Sequence, residues 1–199
     1  MKRKSYVKST NISLHVFTIL MFLIGSFLTF INTSRTNALI DFTYQLENSY
    51  RISVGQIPYK DFFLVLMPGV YYLDAIFLKI FRYSNLGQVF LLLIMYASIF
   101  FLTSMILVRI AGKSIVTYLG IAVSSLAEST TYPFVIYNNL CYLLILWAIF
   151  YFFKTLNRLT FLKSVALGFF VALPFYAKQN YGAFFLFAFY FFFFFILAV

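Results

Sequence analysis

Four of the five carboxylates in this chain fall within residues 41–82: Asp41, Glu47, Asp61 and Asp74. The fifth, Glu128, stands alone further on. Three cations sit beside apolar segments where an anion could reach them: Lys60, Arg82 and Lys178, the last followed by Gln179 and Asn180. A carboxylate at an interface can accept a proton, because partial burial raises its pKa. Cations and amides can hold a developing negative charge. Each residue also has a plainer role. Asp41 suits the first turn of a helix, where the helix dipole favours an acid. Lys60 and Arg82 suit snorkelling to headgroups. Asp61 suits substrate, a divalent ion, or pairing with Lys60. Glu128 suits an acceptor or metal contact, or capping of backbone at a helix end. Asn138 and Asn139 suit sugar binding, or capping of a helix. The single His15 and single Cys141 argue against a zinc centre and a His-based triad, and exclude a disulfide within the chain. A divalent cation is the one cofactor that the acids would suit.

The elements that must position these residues follow from composition. Of the 199 residues, 63% are hydrophobic and only 10% charged, and the mean hydropathy is +0.94. A soluble domain carries about 25% charged residues, so lipid must cover this surface. The expected class is an all-α polytopic membrane protein, one transmembrane domain over 1–199. The net charge of +10 does not indicate nucleic acid. The bases come in small groups between apolar runs, as orientation in a membrane requires.

The basic segment 1–13 precedes an uncharged run over 14–31. That run exceeds the about 7–15 residues of a signal-peptide core, so an uncleaved first helix with a cytoplasmic N-terminus is expected. Residues 38–54 read as an amphipathic helix, capped by Asn37 and stopped by Gly55. On it, Asp41, Gln45 and Asn48 share one face. Leu39, Phe42, Leu46 and Ser49 or Tyr50 take the other. Glu47 and Arg51 form an i,i+4 pair. Residues 62–81 are ambiguous. Pro68 and Gly69 interrupt them, and Asp74 ends the uncharged run after 12 residues. A helix over 70–82 would gather Tyr71, Tyr72, Asp74, Lys79 and Arg82 on one side, which favours lying in the interface.

Positive charge decides between the two readings. With helices 38–54 and 70–82 on the outer surface, spans fall at about 14–32, 83–108, 114–132, 134–153, 164–178 and 181–199. The inner side then holds nine bases and no acid, and the outer side holds all five acids. A crossing at 62–81 would place Arg109, Lys113, Lys154, Arg158 and Lys163 outside, against the positive-inside rule. Glu128 and Lys178 each follow a short uncharged run at the outer end of a span. They are expected to face an outward-opening cavity roofed by 41–82. The last residues carry no charge, cap or polar tail, so the chain is expected to be the N-terminal part of a longer protein.

These features resemble the N-terminal half of the bacterial GT-C glycosyltransferases, such as the lipid A aminoarabinose transferases and protein O-mannosyltransferases. The resemblance rests on an acid opening the first outer loop, here Asp41. It includes a Gly-x-x-Pro-Tyr-basic-Asp-Phe segment, here Gly55 to Phe62, and a Pro before a Tyr-rich second juxtamembrane helix, here Pro68 to Leu73. Tyr137-Asn138-Asn139 and Lys178-Gln179-Asn180-Tyr181-Gly182 resemble the start of the fourth span and the end of the fifth. The sequence departs at Phe81-Arg82, where the family usually has Phe-Gly. The resemblance implies transfer of a sugar from a polyprenyl-phosphate donor to a glycan, lipid or protein acceptor. The transfer would take place on the extracytoplasmic side of the plasma membrane. It implies Asp41 as catalytic base, with Lys60, Asp61, Arg82, Lys178, Gln179 and Asn180 binding substrate or phosphate. Glu128 and Asn138 are acceptor or metal contacts on the same reading. An inactive membrane fragment or assembly partner is the alternative. A transporter subunit fits less well, because no internal repeat is visible.

Overall fold

A computed structural model describes residues 3–35, 40–131 and 137–198. All regular structure among them is helical, and no strand occurs. The eight α-helices are α1 (Arg3–Arg35), α2 (Ile40–Ser53), α3 (Gly69–Ile80), α4 (Leu86–Ala111), α5 (Ile115–Thr131), α6 (Tyr137–Thr155), α7 (Phe161–Ala177) and α8 (Gln179–Ala198). Three segments are long and apolar enough to cross a membrane: Ile12–Thr33 within α1, Leu86–Ala111 and Tyr137–Thr155. Shorter apolar helices lie in α5, α7 and α8. With 12 residues, α3 spans about 18 Å, well short of the about 30 Å hydrocarbon core.

The chain forms two compact units. The first comprises residues 1–36 and 96–133. Here α1 packs on α5 around Leu14, Met21, Tyr96, Phe100 and Ile121. Gly25 is required where it stands, because a Cβ would overlap the Tyr96 hydroxyl. That hydroxyl hydrogen-bonds Ser125 Oγ at 3.0 Å, and Ser125 Oγ donates to the Met21 carbonyl at 2.7 Å. Asn32 Nδ2 of α1 also reaches the Ser129 carbonyl of α5. Small and hydroxylated residues thus let α1 and α5 approach closely, as helices in lipid require. Gly112 ends α4 with a positive φ of 60°.

The second unit comprises residues 37–95 and 134–199. In it α2 lies against α3, and the start of α4 completes a core of Ile52, Leu64, Val70, Tyr71, Ala75, Leu91, Leu92 and Met95. On α2, Gln45, Asn48, Ser49, Ile52 and Ser53 are buried, while Thr43, Glu47 and Tyr50 are exposed, so Ser49 lies on the Gln45–Asn48 face instead of the opposite one. On α3, Tyr71 and Asp74 are buried, while Tyr72, Ile76 and Ile80 are exposed. Val70, Ala75 and Leu78 are buried with them and Lys79 is exposed, so the residues expected to share one side of this helix are divided between its buried and exposed faces.

α2 stops before Gly55 (φ 96°), as its sequence indicates. The ending of α3 is unusual. The Tyr83 N–H donates to the Leu78 carbonyl at 2.7 Å and the Arg82 N–H to that of Lys79 at 3.2 Å. This is a Schellman motif with Arg82, φ 50°, where glycine is the usual residue. Tyr83 follows with φ 61°. A left-handed conformation costs an L-residue about 1–2 kcal/mol.

α6, α7 and α8 pack together, with α7 and α8 antiparallel around Leu167, Val171, Phe185 and Phe189. Their reversal takes one residue, Lys178, whose backbone is extended (φ −153°, ψ 111°). Gly182 makes this possible, since a Cβ there would run into the Phe175 backbone.

Candidate functional site

The reversal between α7 and α8 fixes the most constrained cation of the second unit. Lys178 is tied at its own backbone: its N–H donates to the Pro174 carbonyl, and its carbonyl accepts from Gly182. Its side chain turns onto the start of α6. The ammonium donates to Asn138 Oδ1 at 2.7 Å. It lies 4.7 Å from the centre of the Tyr137 ring and 4.1 Å from that of Tyr181. These are cation–π distances. Among the described residues no carboxylate comes within 4.0 Å of this half-buried charge.

The N-terminus of α3 meets the same region. Gly69 approaches the Tyr176 carbonyl near the end of α7 and the Leu140 side chain of α6. Pro68 precedes α3 without a side-chain cap. Three helix N-termini, those of α3, α6 and α8, therefore lie in the part of the unit that holds Lys178. Each N-terminus carries the partial positive charge of its helix dipole. A lysine and helix N-termini together suit an anion such as a phosphate.

The other residues singled out from the sequence are placed as follows. Asp41 lies in the first turn of α2, and its side chain is outside the described residues, as are Asn37 and Ala38. Lys60 is exposed on the loop between α2 and α3. Asp61 Oδ2 accepts the Ile57 N–H at 2.7 Å, so it staples that loop. Tyr59, with φ 65°, donates its hydroxyl to the Leu66 carbonyl in the same loop. Arg82 leaves the C-terminal end of α3, about 18 Å along the helix from Gly69, so α3 separates it from Lys178. Gln179 and Asn180 are exposed beside Lys178. Glu128 is half-buried on α5 and belongs to the first unit. No three of His, Cys, Asp and Glu come together to hold a metal ion among the described residues.

Sequence reasoning left two features unassigned. Tyr137 and Tyr181 flank Lys178, and only the reversal at residue 178 brings them together. Asp74 is 1% exposed. Its Oδ1 accepts from Gln88 Nε2 of α4 and its Oδ2 from Gln45 Nε2 of α2 at 3.3 Å. Burial pushes its pKa above the usual carboxylate value, while the side chains of Gln88, Gln45 and Ser49 pull it back. Gln88 Oε1 is buried without a hydrogen-bond partner among the described residues. Asp74 thus links α2, α3 and α4 from inside.

No protein-family model, curated protein or solved structure matches the chain.

Proposed function

We propose that the chain is a GT-C-type membrane glycosyltransferase module acting at the extracytoplasmic face. It has six spans, at α1 and α4–α8, with α2 and α3 lying on the outer surface. The donor is a polyprenyl-phosphate-linked sugar. The acceptor hydroxyl oxygen attacks the anomeric carbon, the bond from that carbon to the phosphate oxygen breaks, and the hydroxyl proton passes to the Asp41 carboxylate. Lys178 and the neighbouring helix N-termini stabilise the charge left on the phosphate.

The observation that carries this reading is Lys178. Its ammonium is held between Tyr137, Tyr181 and Asn138 with no carboxylate within 4.0 Å among the described residues. A cation fixed and half-buried in this way is organised to receive an anion. The test is binding of polyprenyl monophosphate to the protein in nanodiscs, followed by native mass spectrometry. Lys178→Met should weaken binding by about tenfold or more, the equivalent of one charge-assisted contact of roughly 1.5–3 kcal/mol. Equal binding by Lys178→Met and the parent protein would remove the phosphate site from this end of the unit. Sugar transfer from the loaded donor then tests Asp41→Asn, which should abolish turnover without loss of donor binding.

A further inference from the structure

We infer that the cleft between α2 and the α3–α4 connection is a carbohydrate-binding site for a neutral pyranose. This goes beyond the phosphate reading and uses none of its residues. The cleft has a volume of about 400 Å³, within the range of small-ligand pockets. Leu46 and Leu78 supply apolar lining, and Tyr50 and Tyr83 are half-exposed in its wall. The two rings meet edge to face with centroids 5.5 Å apart. Glu47 and Asn85 add polar groups to the same lining. Among the described residues the two phenol hydroxyls and the Asn85 amide make no hydrogen bond within the chain. Glu47 gives only Oε1 to Arg51, at 2.6 Å, and keeps Oε2 free.

Aromatic faces beside unengaged hydroxyl, amide and carboxylate groups match one ligand chemistry. A pyranose presents C–H groups on its faces and hydroxyls around its edge. Tyrosine rings attract the former through their negative π-faces, and the polar groups pair with the latter. An acyl chain would cover the Glu47 carboxylate and Asn85 amide without pairing them. An anion would be repelled by Glu47.

The backbone supports the assignment. Tyr83 reaches Tyr50 only because Arg82 and Tyr83 both hold positive φ in the reversal after α3. Strained, non-glycine backbone of this kind collects at ligand sites.

The experiment is saturation-transfer NMR on the protein in nanodiscs, free of alkyl-glycoside detergent. The probes are the methyl pyranosides of glucose, mannose, galactose and N-acetylglucosamine. At least one should show saturable transfer to its ring protons. Tyr83→Ala should weaken that binding by about tenfold, the scale of one lost aromatic contact. Leu46→Trp fills the cleft while leaving both tyrosines in place, and should abolish binding while the thermal transition stays intact. Lys178→Met should leave binding unchanged, which separates this site from the proposed phosphate site. Absence of transfer from all four pyranosides would overturn the assignment. So would binding that survives Leu46→Trp.

Discussion

Asp74 offers the most direct test of how the second unit is held together. An ionised carboxylate buried without a cation costs several kcal/mol. Its compensation is two neutral amide donors, Gln45 Nε2 and Gln88 Nε2. No charged group on the packed elements faces it among the described residues. Glu47 is paired with Arg51, and Lys79 is exposed. Burial therefore raises its pKa from the model-compound value of 3.8. The folded protein holds this proton more tightly than the unfolded chain does. Between the unfolded pKa and the raised folded one, the folded state binds more protons, so stability falls as pH rises across that window.

Asp74→Asn removes the titration and keeps the shape. Its oxygen can still accept from one glutamine, and its amide can donate to Gln88 Oε1, which has no partner among the described residues of the parent protein. The Asn variant should match the parent within about 1 kcal/mol at low pH and exceed it as pH rises. Asp74→Ala strands both glutamine amides in the core, at about 1–3 kcal/mol each, so a loss of about 2–6 kcal/mol is expected. The measurement is equilibrium unfolding by SDS in mixed micelles at a series of pH values. The parent-minus-Asn difference isolates residue 74 from the other carboxylates. Two results would refute the reasoning: an Ala variant as stable as the Asn variant, or a parent protein that gains stability over the Asn variant with rising pH.

Three further outcomes are expected. Arg82→Gly should raise stability by about 0.5–1 kcal/mol, because glycine occupies the left-handed position after α3 without steric cost; a loss in the same unfolding assay would show that the arginine side chain matters more than its backbone. Gly25→Ala should cost about 1–3 kcal/mol by pressing on the Tyr96 hydroxyl, and Tyr96→Phe should recover part of that loss; equal losses in both backgrounds would rule out the hydroxyl as the obstacle. In a Cys141→Ala background, Gln56→Cys should label from outside the cell and Thr160→Cys only after permeabilisation, both positions being exposed. The reverse pattern would overturn the proposed orientation of every span after α1.

The helix positions were legible because the punctuation was strong. Gly55 and Pro68 mark element ends, whereas the one-residue break at Lys178 shows only in the structure. The split of α2 and α3 into two faces was legible only in part: Gln45 and Asn48 do share a face, but Ser49 joins them, and Tyr72 and Lys79 part from Tyr71 and Asp74. What the residues do there was not, because face partition alone does not say which side is buried. In water the apolar face of such a helix turns inward. Here the outward residues of α3 are Tyr72, Ile76, Lys79 and Ile80, and Asp74 lies inward together with Val70, Ala75 and Leu78. Lipid accepts the isoleucines as readily as a core would, whereas a polar group in an apolar setting must find a partner in the protein. Gln45, Asp74 and Gln88 are 29 and 14 residues apart in sequence, so no local pattern could announce that they meet.

The same physics explains why Lys178 was easier to find than its surroundings. A lysine closing a short apolar run is visible in the sequence. Tyr137 and Tyr181 reach it only because α7 reverses in one residue, and that reversal depends on Gly182 lying against the Phe175 backbone. Gly182→Ala therefore acts on the cation without touching it. It should displace the ammonium from Asn138 and lower polyprenyl monophosphate affinity to the level of Lys178→Met. A Gly182→Ala protein that folds and binds like the parent would show that the reversal tolerates a methyl group. The placement of Lys178 would then rest on its own side-chain contacts.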